Sequence, residues 1–397
     1  MLGWELPPHN SGGLGVACYQ LCKALSDKGA DIEFVLPYTA KHDIDFMQIN
    51  AAHPQDVEQV IKAGIAYDSF KYVKASGEAE WVDLFGQSAI YEEAIDHIIE
   101  LAEFDVIHAH DWLTFRGALR AKEKSGKPVL LHVHSIERDR AGGNAGNMLV
   151  REIEYISMML ADRIITVSEH TKKAIIADYG IPPTKIEVIH NSLDRTAVQP
   201  LDNKNTYRYL EQMKRDGFHV VVNVGRVTVQ KGLPNLLKAA QTVVQRVPKT
   251  IFLIVGSGEQ ERELVELAAE LGIGRNVVFT GFQRGKAWRD AFAIGDLFVM
   301  PSISEPFGLT PLEAIGYGTP ALVSKQSGVA EVISNCLKVD YWDVHEMANQ
   351  ITLVVQSDAL RDELHRNSLK EYERLSWNNA ADRLLELYHQ HATEVAT

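Results

Sequence analysis

Two carboxylates, Glu305 and Glu313, lie eight positions apart where a helix is expected to begin. Thr310–Glu313 reads as a capping box with proline at the first helical position, so the sequence predicts a helix from this point. The free N–H groups of that helix, with those of Gly308 and Leu309, would form an anion site facing Glu305. A role in helix capping would account for Glu313. It does not account for Glu305, because a carboxylate beside an anion site is favourable only if it binds hydroxyl groups.

A second segment carries two permanent cations, Arg226 and Lys231, on a glycine-flanked loop that follows a buried strand. Two such cations can neutralise a diphosphate without a metal. An ordinary surface loop is the alternative. The nearby segment 255–259 holds only Gly-x-Gly, and Glu261 follows where a dinucleotide motif would need glycine, so it is weak support for a nucleotide site.

Near the start of the chain, Gly12 and Gly13 belong to a glycine-rich loop that precedes a predicted helix. Glycines let a backbone approach a ligand closely, and a helix N-terminus offers N–H groups to an anion. The spacing does not match the dinucleotide fingerprint. A tight turn between strand and helix is the alternative interpretation.

Two His-x-His pairs, His108 with His110 and His132 with His134, end two predicted strands. Strand alternation places each pair on one face of the sheet. Both pairs would lie at the carboxyl edge of a parallel sheet, where ligands of α/β proteins bind. The pattern favours hydrogen bonding to a ligand and leaves a metal site and a structural role open.

Short β-branched runs alternate with longer amphipathic segments along the chain, which is typical of parallel sheets covered by helices. The predicted strands are Glu33–Pro37, Val106–His110, Val129–His134, Arg163–Ser168, Glu187–His190, Val220–Val224, Ile251–Val255, Val277–Thr280, Leu297–Met300 and Ala321–Ser324. Helical patterns include Gly15–Asp27, Leu233–Arg246, Gln260–Leu271, Pro311–Tyr317 and Trp377–His391. Two such series predict an α/β chain with two doubly wound lobes, separated near the polar stretch Asp194–Tyr209. The strand ahead of the glycine loop is short, which leaves a trimmed N-terminus open.

The composition is that of a globular protein with about two domains: 397 residues, of which 46% are hydrophobic and 23% charged. A net charge of −13 argues against a nucleic-acid partner. Three cysteines are too few for a disulfide framework, and neither a signal peptide nor a transmembrane run is apparent, so a cytoplasmic protein is expected. A local basic patch, Lys122, Lys124 and Lys127, leaves a peripheral membrane contact open.

Taken together, the motifs resemble the retaining GT-B-fold glycosyltransferases of family 4. The spacing of Glu305 and Glu313 within Ser-Glu-Pro-Phe-Gly-Leu-Thr-Pro-Leu-Glu-Ala is central to the resemblance, which covers nearly the whole chain. The other matching segments, in the same order, are Ser11-Gly-Gly, His110-Asp111, Ala161-Asp-Arg-Ile-Ile-Thr-Val-Ser168, Gly225-Arg226 and Lys231-Gly232. The resemblance implies two Rossmann-like, doubly wound parallel-sheet domains that face a central cleft. These would be an acceptor-side domain 1–198, a nucleotide-sugar-binding domain 199–375, and a crossover helix 376–397 that returns to the first domain.

The resemblance also implies a role for each candidate residue. Arg226 and Lys231 would hold the donor diphosphate, Glu313 the ribose hydroxyls, and Glu305 the transferred sugar. Further donor contacts would come from His110 at the primary hydroxyl of the sugar, Gly12 and Gly13 over the phosphates, the region of Phe282 at the base, and the backbone of Phe307, Gly308, Leu309 and Thr310 at the sugar and phosphate. No metal or other cofactor is expected, because the helix end and the two cations would neutralise the diphosphate.

His108–Trp112 is similar to the corresponding stretch of glycogen and starch synthases, which makes glucose the expected donor sugar. Asn10 stands where those synthases carry a lysine, so UDP-glucose is at least as favoured as ADP-glucose. The implied function is transfer of glucose from a UDP- or ADP-linked donor to a glycan or another hydroxyl acceptor. The alternatives are a weak or inactive transferase-like regulatory scaffold and a sugar-nucleotide epimerase of the same fold.

Two expectations concern catalysis. Because Arg226 and Lys231 lie on a loop, alanine at either position should slow turnover by about a hundredfold and leave stability nearly unchanged. The resemblance implies that the anomeric configuration is retained. Since the sequence offers no clear nucleophile on the opposite face of the sugar, a front-face route is expected, in which Glu305 orients the sugar and does not attack it.

Overall fold

The computed structural model describes residues 1–10, 12–53, 57–63, 69–74, 76–193, 200–202 and 204–394. The chain divides into two compact units. The first comprises Met1–Glu137, Asn147–Asn191 and Trp377–Thr397, and the second comprises Arg138–Gly146 and Ser192–Ser376. Ser11 of the glycine loop and positions 194–199 and 203 of the predicted linker lie outside the described residues.

The strands described in the first unit are β1 (Glu33–Leu36), β2 (Gln48–Ala51), β3 (Val57–Ala63), β4 (Ser69–Lys74), β5 (Ala79–Asp83), β6 (Ile107–His110), β7 (Val129–Val133), β8 (Arg163–Thr166) and β9 (Ile186–Val188). Strands β1 and β2 pair in parallel, as do β6, β7, β8 and β9 in that order. Leu2, the short strand expected at the start, bridges Val35 on one side and Ala109 on the other. The strand order therefore reverses at Leu2, next to the glycine loop.

Strands β3, β4 and β5 form an antiparallel sheet in a segment for which no strand was predicted. Strand β5 is exposed along nearly its whole length, so it lacks the apolar alternation by which a strand is recognised in a sequence.

The second unit contains one six-stranded parallel sheet in the part of the chain that the structure describes. Its strands are β10 (His219–Val224), β11 (Thr250–Val255), β12 (Val277–Phe279), β13 (Leu297–Met300), β14 (Ala321–Ser324) and β15 (Leu337–Val339). The strand order is β12-β11-β10-β13-β14-β15, so it reverses between β10 and β13. Both of these strands are almost entirely buried, as their apolar runs predict.

The helices cover these sheets. They are α1 (Gly13–Ser26), α2 (Leu84–Leu101), α3 (Trp112–Ser125), α4 (Glu137–Arg140), α5 (Met148–Leu160), α6 (Glu169–Tyr179), α7 (Arg208–Arg215), α8 (Leu233–Arg246), α9 (Glu261–Glu270), α10 (Gly285–Ile294), α11 (Thr310–Gly316), α12 (Val329–Val332), α13 (Val344–Gln356), α14 (Asp358–Tyr372) and α15 (Trp377–Glu394). None of the described helices is both long and apolar enough to cross a membrane.

The two units differ in detail from the domains expected from the sequence. Along the chain, the change between units falls at Asn191 and Ser192, ahead of the expected boundary at 198. Arg138–Gly146 groups with the second unit, where the Ser304 hydroxyl donates a hydrogen bond to Asp139. The final helix, α15, groups with the first unit and packs against α1.

Candidate active site

The loops that follow β10 and β13 meet where the strand order of the second sheet reverses. In open α/β sheets, ligands bind outside the carboxyl ends of the strands at such a reversal. The β10 loop carries Arg226 and Lys231, and the β13 loop carries Glu305. Topology therefore brings together candidate residues that are more than 70 positions apart in the chain.

Glycines set the close spacing of these loops. Gly232 has a φ of +64°, and a Cβ built on it would lie 2.2 Å from the Pro301 carbonyl oxygen. A Cβ on Gly256 would lie 1.7 Å from the Gly225 oxygen, and one on Gly258 would lie 2.2 Å from the Val227 oxygen. The Gly-x-Gly after β11, which is weak as a nucleotide motif, is thus required for packing of the neighbouring loop.

Lys231 and Glu305 form an ion pair in which Lys231 Nζ lies 2.5 Å from Glu305 Oε2. The same oxygen accepts a hydrogen bond of 2.9 Å from the hydroxyl of Ser302, a partner that the sequence pattern does not indicate. Glu305 is only 7% exposed. Its other carboxylate oxygen accepts no hydrogen bond from the described residues. The pair thus joins the residue expected at the diphosphate to the residue expected at the sugar.

Arg226 differs from Lys231 in its surroundings. Its side chain is exposed, and none of the described residues forms an ion pair or a hydrogen bond with its guanidinium. The loop that carries it is held by backbone hydrogen bonds, from Gly225 N–H to Val255 O at 2.9 Å and from Val227 N–H to Ser257 O at 2.9 Å. A fixed backbone with an unpaired cation on it is suited to binding an anion.

The segment that leads into α11 is held close to Glu305. Phe307 is buried, and its carbonyl accepts a hydrogen bond of 2.8 Å from Val329 N–H. Gly308 has a φ of +94°, and a Cβ there would lie 2.9 Å from Met300 Cε and 3.1 Å from Glu305 Cγ. Only glycine fits this position, which explains the Phe-Gly-Leu sequence.

The structure does not contain the predicted capping box. Leu309, not Thr310, is the N-cap residue of α11, and no side chain caps the helix. The Leu309 carbonyl accepts hydrogen bonds from Leu312 N–H at 2.9 Å and from Glu313 N–H at 3.1 Å. Thr310 is already helical, and its hydroxyl faces Met300 Sδ at 4.0 Å. The helix therefore begins one residue earlier than predicted, and Glu313 has no capping role.

Glu313 lies in the first turn of α11 and is partly buried. Burial raises the pKa of its carboxyl group from 4.5 to about 7, although a hydrogen bond with Trp288 acts in the opposite direction. Trp288 was not identified from the sequence, because a lone tryptophan on a helix gives no signal for such a contact. A carboxylate that is poorly solvated in this way is a strong acceptor for ligand hydroxyl groups.

Phe282 follows β12 at the same edge of the sheet. Gly256 N–H donates to Gly281 O at 3.0 Å, which holds this loop beside the one after β11. The ring is partly exposed, and the Arg284 guanidinium lies 5.1 Å from its centroid. An aromatic face at this position can stack on a planar ligand group.

In the first unit, the two histidine pairs form one stacked cluster at the ends of β6 and β7. The ring centroids are 4.5 Å apart for His108 and His110, and 4.3 Å apart for His132 and His134. His110 Nδ1 lies 3.0 Å from His134 Nε2, and His108 Nε2 lies 3.2 Å from His132 Nδ1. His108 Nδ1 also forms a hydrogen bond with the hydroxyl of Tyr388 on α15. The prediction that each pair shares a face is confirmed.

These histidines are electrically neutral. Burial and the neighbouring histidines hold the pKa of His108, His110 and His132 well below 6.5. Burial also lowers the pKa of His134 to about 3. The Nε2 atoms of His110 and His132 are buried without a hydrogen-bond partner among the described residues. Both side chains are almost completely enclosed, at 0% and 1% exposed, so neither nitrogen atom faces solvent.

Some nitrogen and sulfur atoms in and around the cluster are close enough together to be considered as metal ligands. Donor atoms of His108, His110 and His132 lie within 4.8 Å of one another, as do those of Cys18, His110 and His134. The planes of His132 and His134 differ by only 17°, and those of His108 and His110 by 20°. Lone pairs of stacked rings run side by side and do not converge on one ion, so this geometry favours hydrogen bonding over chelation.

Asp111 follows His110 with a φ of +60°, a backbone conformation that non-glycine residues rarely adopt. Its carboxylate accepts hydrogen bonds from His134 N–H at 2.7 Å and from Ser135 N–H at 3.2 Å. Asp111 therefore links the ends of β6 and β7 and fixes the position of the cluster.

The glycine loop of the first unit precedes α1. Gly12 is the N-cap residue and Gly13 the first residue of the helix. The Asn10 side-chain amide donates to Gly12 O at 3.0 Å. No atom of the described chain lies within 4 Å of a Cβ built on Gly12, so the helix start is open beside it.

Both units match known families. Residues 11–196 match the model of Glycosyltransferase Family 4, and residues 211–371 match that of Glycosyl transferases group 1. A glycosyltransferase of Methanocaldococcus jannaschii is 28% identical, with alignment over 98% of this chain and 97% of that protein. D-inositol 3-phosphate glycosyltransferase of Rhodococcus erythropolis is 27% identical, over 96% and 87%. Anabaena HepE, solved in complex with UDP-glucose, has a TM-score of 0.71 and 19% identity, over 98% and 99% of the two chains.

Proposed function

Because this chain belongs to the GT-B glycosyltransferases of the family 4 type, we propose that it transfers glucose with retention of configuration. The donor would be a UDP- or ADP-linked glucose, and the acceptor a hydroxyl group of a glycan or another molecule. The observation that carries this proposal is the buried Lys231–Glu305 pair at the reversal of strand order in the second unit.

The diphosphate of the donor would bind at Arg226 and Lys231. Arg226 is exposed and unpaired among the described residues, so it can accept a phosphate group without breaking an existing contact. Lys231 is already fixed by Glu305, which removes much of the conformational entropy that a free lysine would lose on binding. The backbone around Phe307, Gly308, Leu309 and Thr310 would add N–H donors at the sugar and phosphate.

The sugar would bind at the free oxygen of Glu305. One oxygen of this carboxylate is held by Lys231 and Ser302, so the other can accept hydrogen bonds from sugar hydroxyl groups. Hydrogen bonds to a charged acceptor contribute about 1.5–3 kcal/mol each. Glu305 would therefore fix the orientation of the sugar ring.

The nucleoside would bind at Glu313 and near Phe282. Ribose hydroxyls would donate to the Glu313 carboxylate, which burial makes a strong acceptor. The Phe282 loop, held beside the loop after β11, would contact the base. In the first unit, His110 and the glycines Gly12 and Gly13 keep the roles that the family resemblance implies for them.

The proposed reaction uses the front face of the sugar. The bond between the anomeric carbon and the diphosphate oxygen breaks, while Arg226, Lys231 and the backbone N–H groups stabilise the charge that develops on the diphosphate. The departing oxygen takes the proton of the acceptor hydroxyl as the new glycosidic bond forms on the same face. In this scheme, no residue of the chain becomes covalently attached to the sugar, and no metal is required.

Two observations support a glucose donor and do not decide between UDP and ADP. The segment His108–Trp112 is similar to glycogen and starch synthases, and the structural neighbour HepE was solved with UDP-glucose. Asn10 holds the glycine loop through its own hydrogen bond, where those synthases carry a lysine. Because of this difference, UDP-glucose is at least as strong a candidate for the donor as ADP-glucose.

A thermal-shift panel with UDP-, ADP- and GDP-linked sugars tests the donor assignment. A ligand at 100 times its dissociation constant adds about 2.7 kcal/mol to the free energy of unfolding. We expect UDP-glucose or ADP-glucose to raise the melting temperature, and the shift to shrink in Arg226→Ala. Equal melting temperatures with every nucleotide sugar would contradict the proposed function.

A further inference from the structure

The outer face of α5 is an apolar stripe. Its exposed side chains recur at helical spacing and are all large and apolar except one: Met148, Leu149, Glu152, Tyr155, Ile156, Met159 and Leu160. The apolar members are between 44% and 70% exposed. The opposite face, with Val150, Ile153 and Met158, already packs into the core of the first unit. The stripe therefore contributes nothing to the core, and exposed patches of this kind mark interaction surfaces.

The spacing of the stripe is that of a helix seam. Leu149, Glu152, Ile156 and Met159 follow intervals of three and four residues, the pattern with which one helix packs along another. Helix α5 has 13 residues, so the stripe is about 20 Å long. Its shape fits another helix of similar length.

Charge is distributed unevenly along the stripe. Glu152, in the N-terminal half, forms no ion pair with any described residue. At the C-terminal end, Lys122 Nζ donates to Leu160 O at 3.1 Å and is paired with Asp162 at 2.7 Å. Lys185 Nζ donates to Met159 O and forms no ion pair in the part of the chain that the structure describes. Burial and the nearby Lys122 lower the pKa of Lys185, and Asp162 acts in the opposite direction. The face thus carries an unpaired carboxylate in one half and, at the opposite end, an amino group without an ion-pair partner among the described residues.

We propose that α5 pairs antiparallel with α5 of a second copy of this chain. An antiparallel arrangement places Glu152 of each copy beside Lys185 of the other, with Ile156 near the two-fold axis. The apolar side chains would interdigitate along the seam. A two-fold interface requires a self-complementary surface, and this distribution of charge meets that requirement.

A lipid surface fits the same stripe less well. Three of the cations beside it are already paired with carboxylates: Arg116 with Glu92 at 2.7 Å, Lys122 with Asp162 at 2.7 Å and Lys124 with Asp96 at 2.6 Å. Glu152 lies within the apolar stripe, where contact with acyl chains would bury an unpaired carboxylate. The chain also carries a net charge of −13, which anionic lipid repels.

Sedimentation of the full chain tests the pairing. The chain has a mass of 44.3 kDa, so we expect a species of twice that mass in the micromolar range. Ile156→Asp combined with Met159→Asp should convert it to the monomer, and circular dichroism should confirm that the variant is folded. Leu353→Asp is the matched control, because Leu353 is 60% exposed on α13 of the second unit. A wild-type monomer at 100 µM, or an unchanged dimer in the double variant, would overturn the proposal.

A charge swap tests the antiparallel arrangement. Glu152→Lys should weaken association on the order of tenfold, and addition of Lys185→Glu should restore most of it. If Glu152→Lys and Lys185→Glu weaken association independently, so that the double variant shows the sum of the two effects, the antiparallel arrangement is overturned. The protein is also mixed with vesicles of phosphatidylglycerol and phosphatidylcholine. Binding to vesicles that Ile156→Asp abolishes, without any self-association, would assign the stripe to a membrane and contradict the proposal.

Discussion

The second unit positions fixed charges, whereas the first unit positions neutral polar groups. At the reversal of strand order in the second sheet, a lysine and a glutamate are paired, and the arginine on the same loop as the lysine has no ion-pair partner among the described residues. At the corresponding reversal in the first unit, four histidines stack with their pKa values lowered, so that they carry no charge at neutral pH. Both sets lie at the carboxyl edge of a parallel sheet, but only one can compensate a diphosphate.

The difference indicates a division of labour in the proposed reaction. Charge is needed where the leaving group accumulates it, and the cations of the second unit supply it. A neutral imidazole can donate or accept a hydrogen bond without adding charge, which suits a contact to an uncharged sugar hydroxyl.

Substitution of either cation by alanine should slow turnover to a similar extent, but the two substitutions should change the free energy of unfolding differently. Arg226→Ala and Lys231→Ala should each reduce donor turnover by about a hundredfold. Arg226 is exposed, so its loss should leave the free energy of unfolding unchanged. Loss of Lys231 leaves the buried Glu305 without its counter-ion, which should cost about 3–5 kcal/mol. The ion pair thus leads to a different prediction for Lys231→Ala from the one made from the sequence, which was nearly unchanged stability for both variants.

The control for Lys231→Ala is the double variant with Glu305→Gln, which removes the unpaired charge and should recover stability without recovering turnover. Chemical denaturation and a coupled assay for released nucleotide measure the two effects. Equal stability of Arg226→Ala and Lys231→Ala would show that the ion pair contributes nothing to the fold.

Glu305→Gln should slow transfer roughly ten- to hundredfold, because the neutral amide loses charge-assisted hydrogen bonds to the sugar. Intact mass spectrometry of the wild-type enzyme under turnover should reveal no sugar attached to the protein. A glycosyl adduct mapped to Glu305 would replace the front-face route with a double displacement.

The two units should respond to pH in opposite directions. In the folded state, the raised pKa of Glu313 favours the protonated carboxyl group. Its contribution to the free energy of unfolding is therefore complete below pH 4.5, and roughly 3 kcal/mol is lost as the pH rises to about 7. The lowered pKa values of the histidines act in reverse: their contribution is complete above pH 6.5 and is lost as pH falls. Hydrogen exchange resolved by peptide measures each unit separately.

Glu313→Gln is the control, because it should remove the pH dependence of the second unit between pH 4.5 and 7 and leave that of the first unit unchanged. The affinity for UDP-glucose, whose diphosphate diester keeps the same charge across this range, should also rise through pH 7 in the wild type as Glu313 ionises, and should stay flat in Glu313→Gln. Parallel pH profiles of the two units would contradict the contrast drawn here.

Chelation should have the smallest effect. Two cations and backbone N–H groups take the place of a metal in the proposed site, and the stacked histidines are poorly arranged for chelation. Turnover after treatment with EDTA should therefore stay near that of the untreated enzyme. The histidine cluster would be assigned to metal binding if EDTA abolished activity and a stoichiometric metal restored it. The restoration should then fail in His132→Asn.

The sequence predicts the central strands well because burial on both faces leaves an unmistakable apolar run. Leu297–Met300 and Ala321–Ser324 have the predicted bounds. Strand β5 was missed because it is exposed, and edge strands of this kind carry no hydrophobic period. The predicted capping box failed at Thr310 because the sharp turn at Gly308 brings Leu309 into the N-cap position.

Candidate residues were easier to identify than their contacts. Residue type and spacing selected Lys231 and Glu305, but their pairing depends on the adjacency of β10 and β13, which is a property of the sheet order. Ser302 and Trp288 act only through those neighbours, so neither has a signal of its own in the sequence. The pKa of Glu313 likewise depends on burial that only the packed structure provides.

The anomeric configuration of the released sugar tests the central claim most directly. The enzyme is incubated with UDP-α-glucose, and in parallel with ADP-α-glucose, without an acceptor. Proton NMR then follows slow hydrolysis before mutarotation, with Arg226→Ala as the slow control. The proposed retaining transfer predicts that α-glucose appears first. Initial release of β-glucose, or no release from either donor, would contradict it.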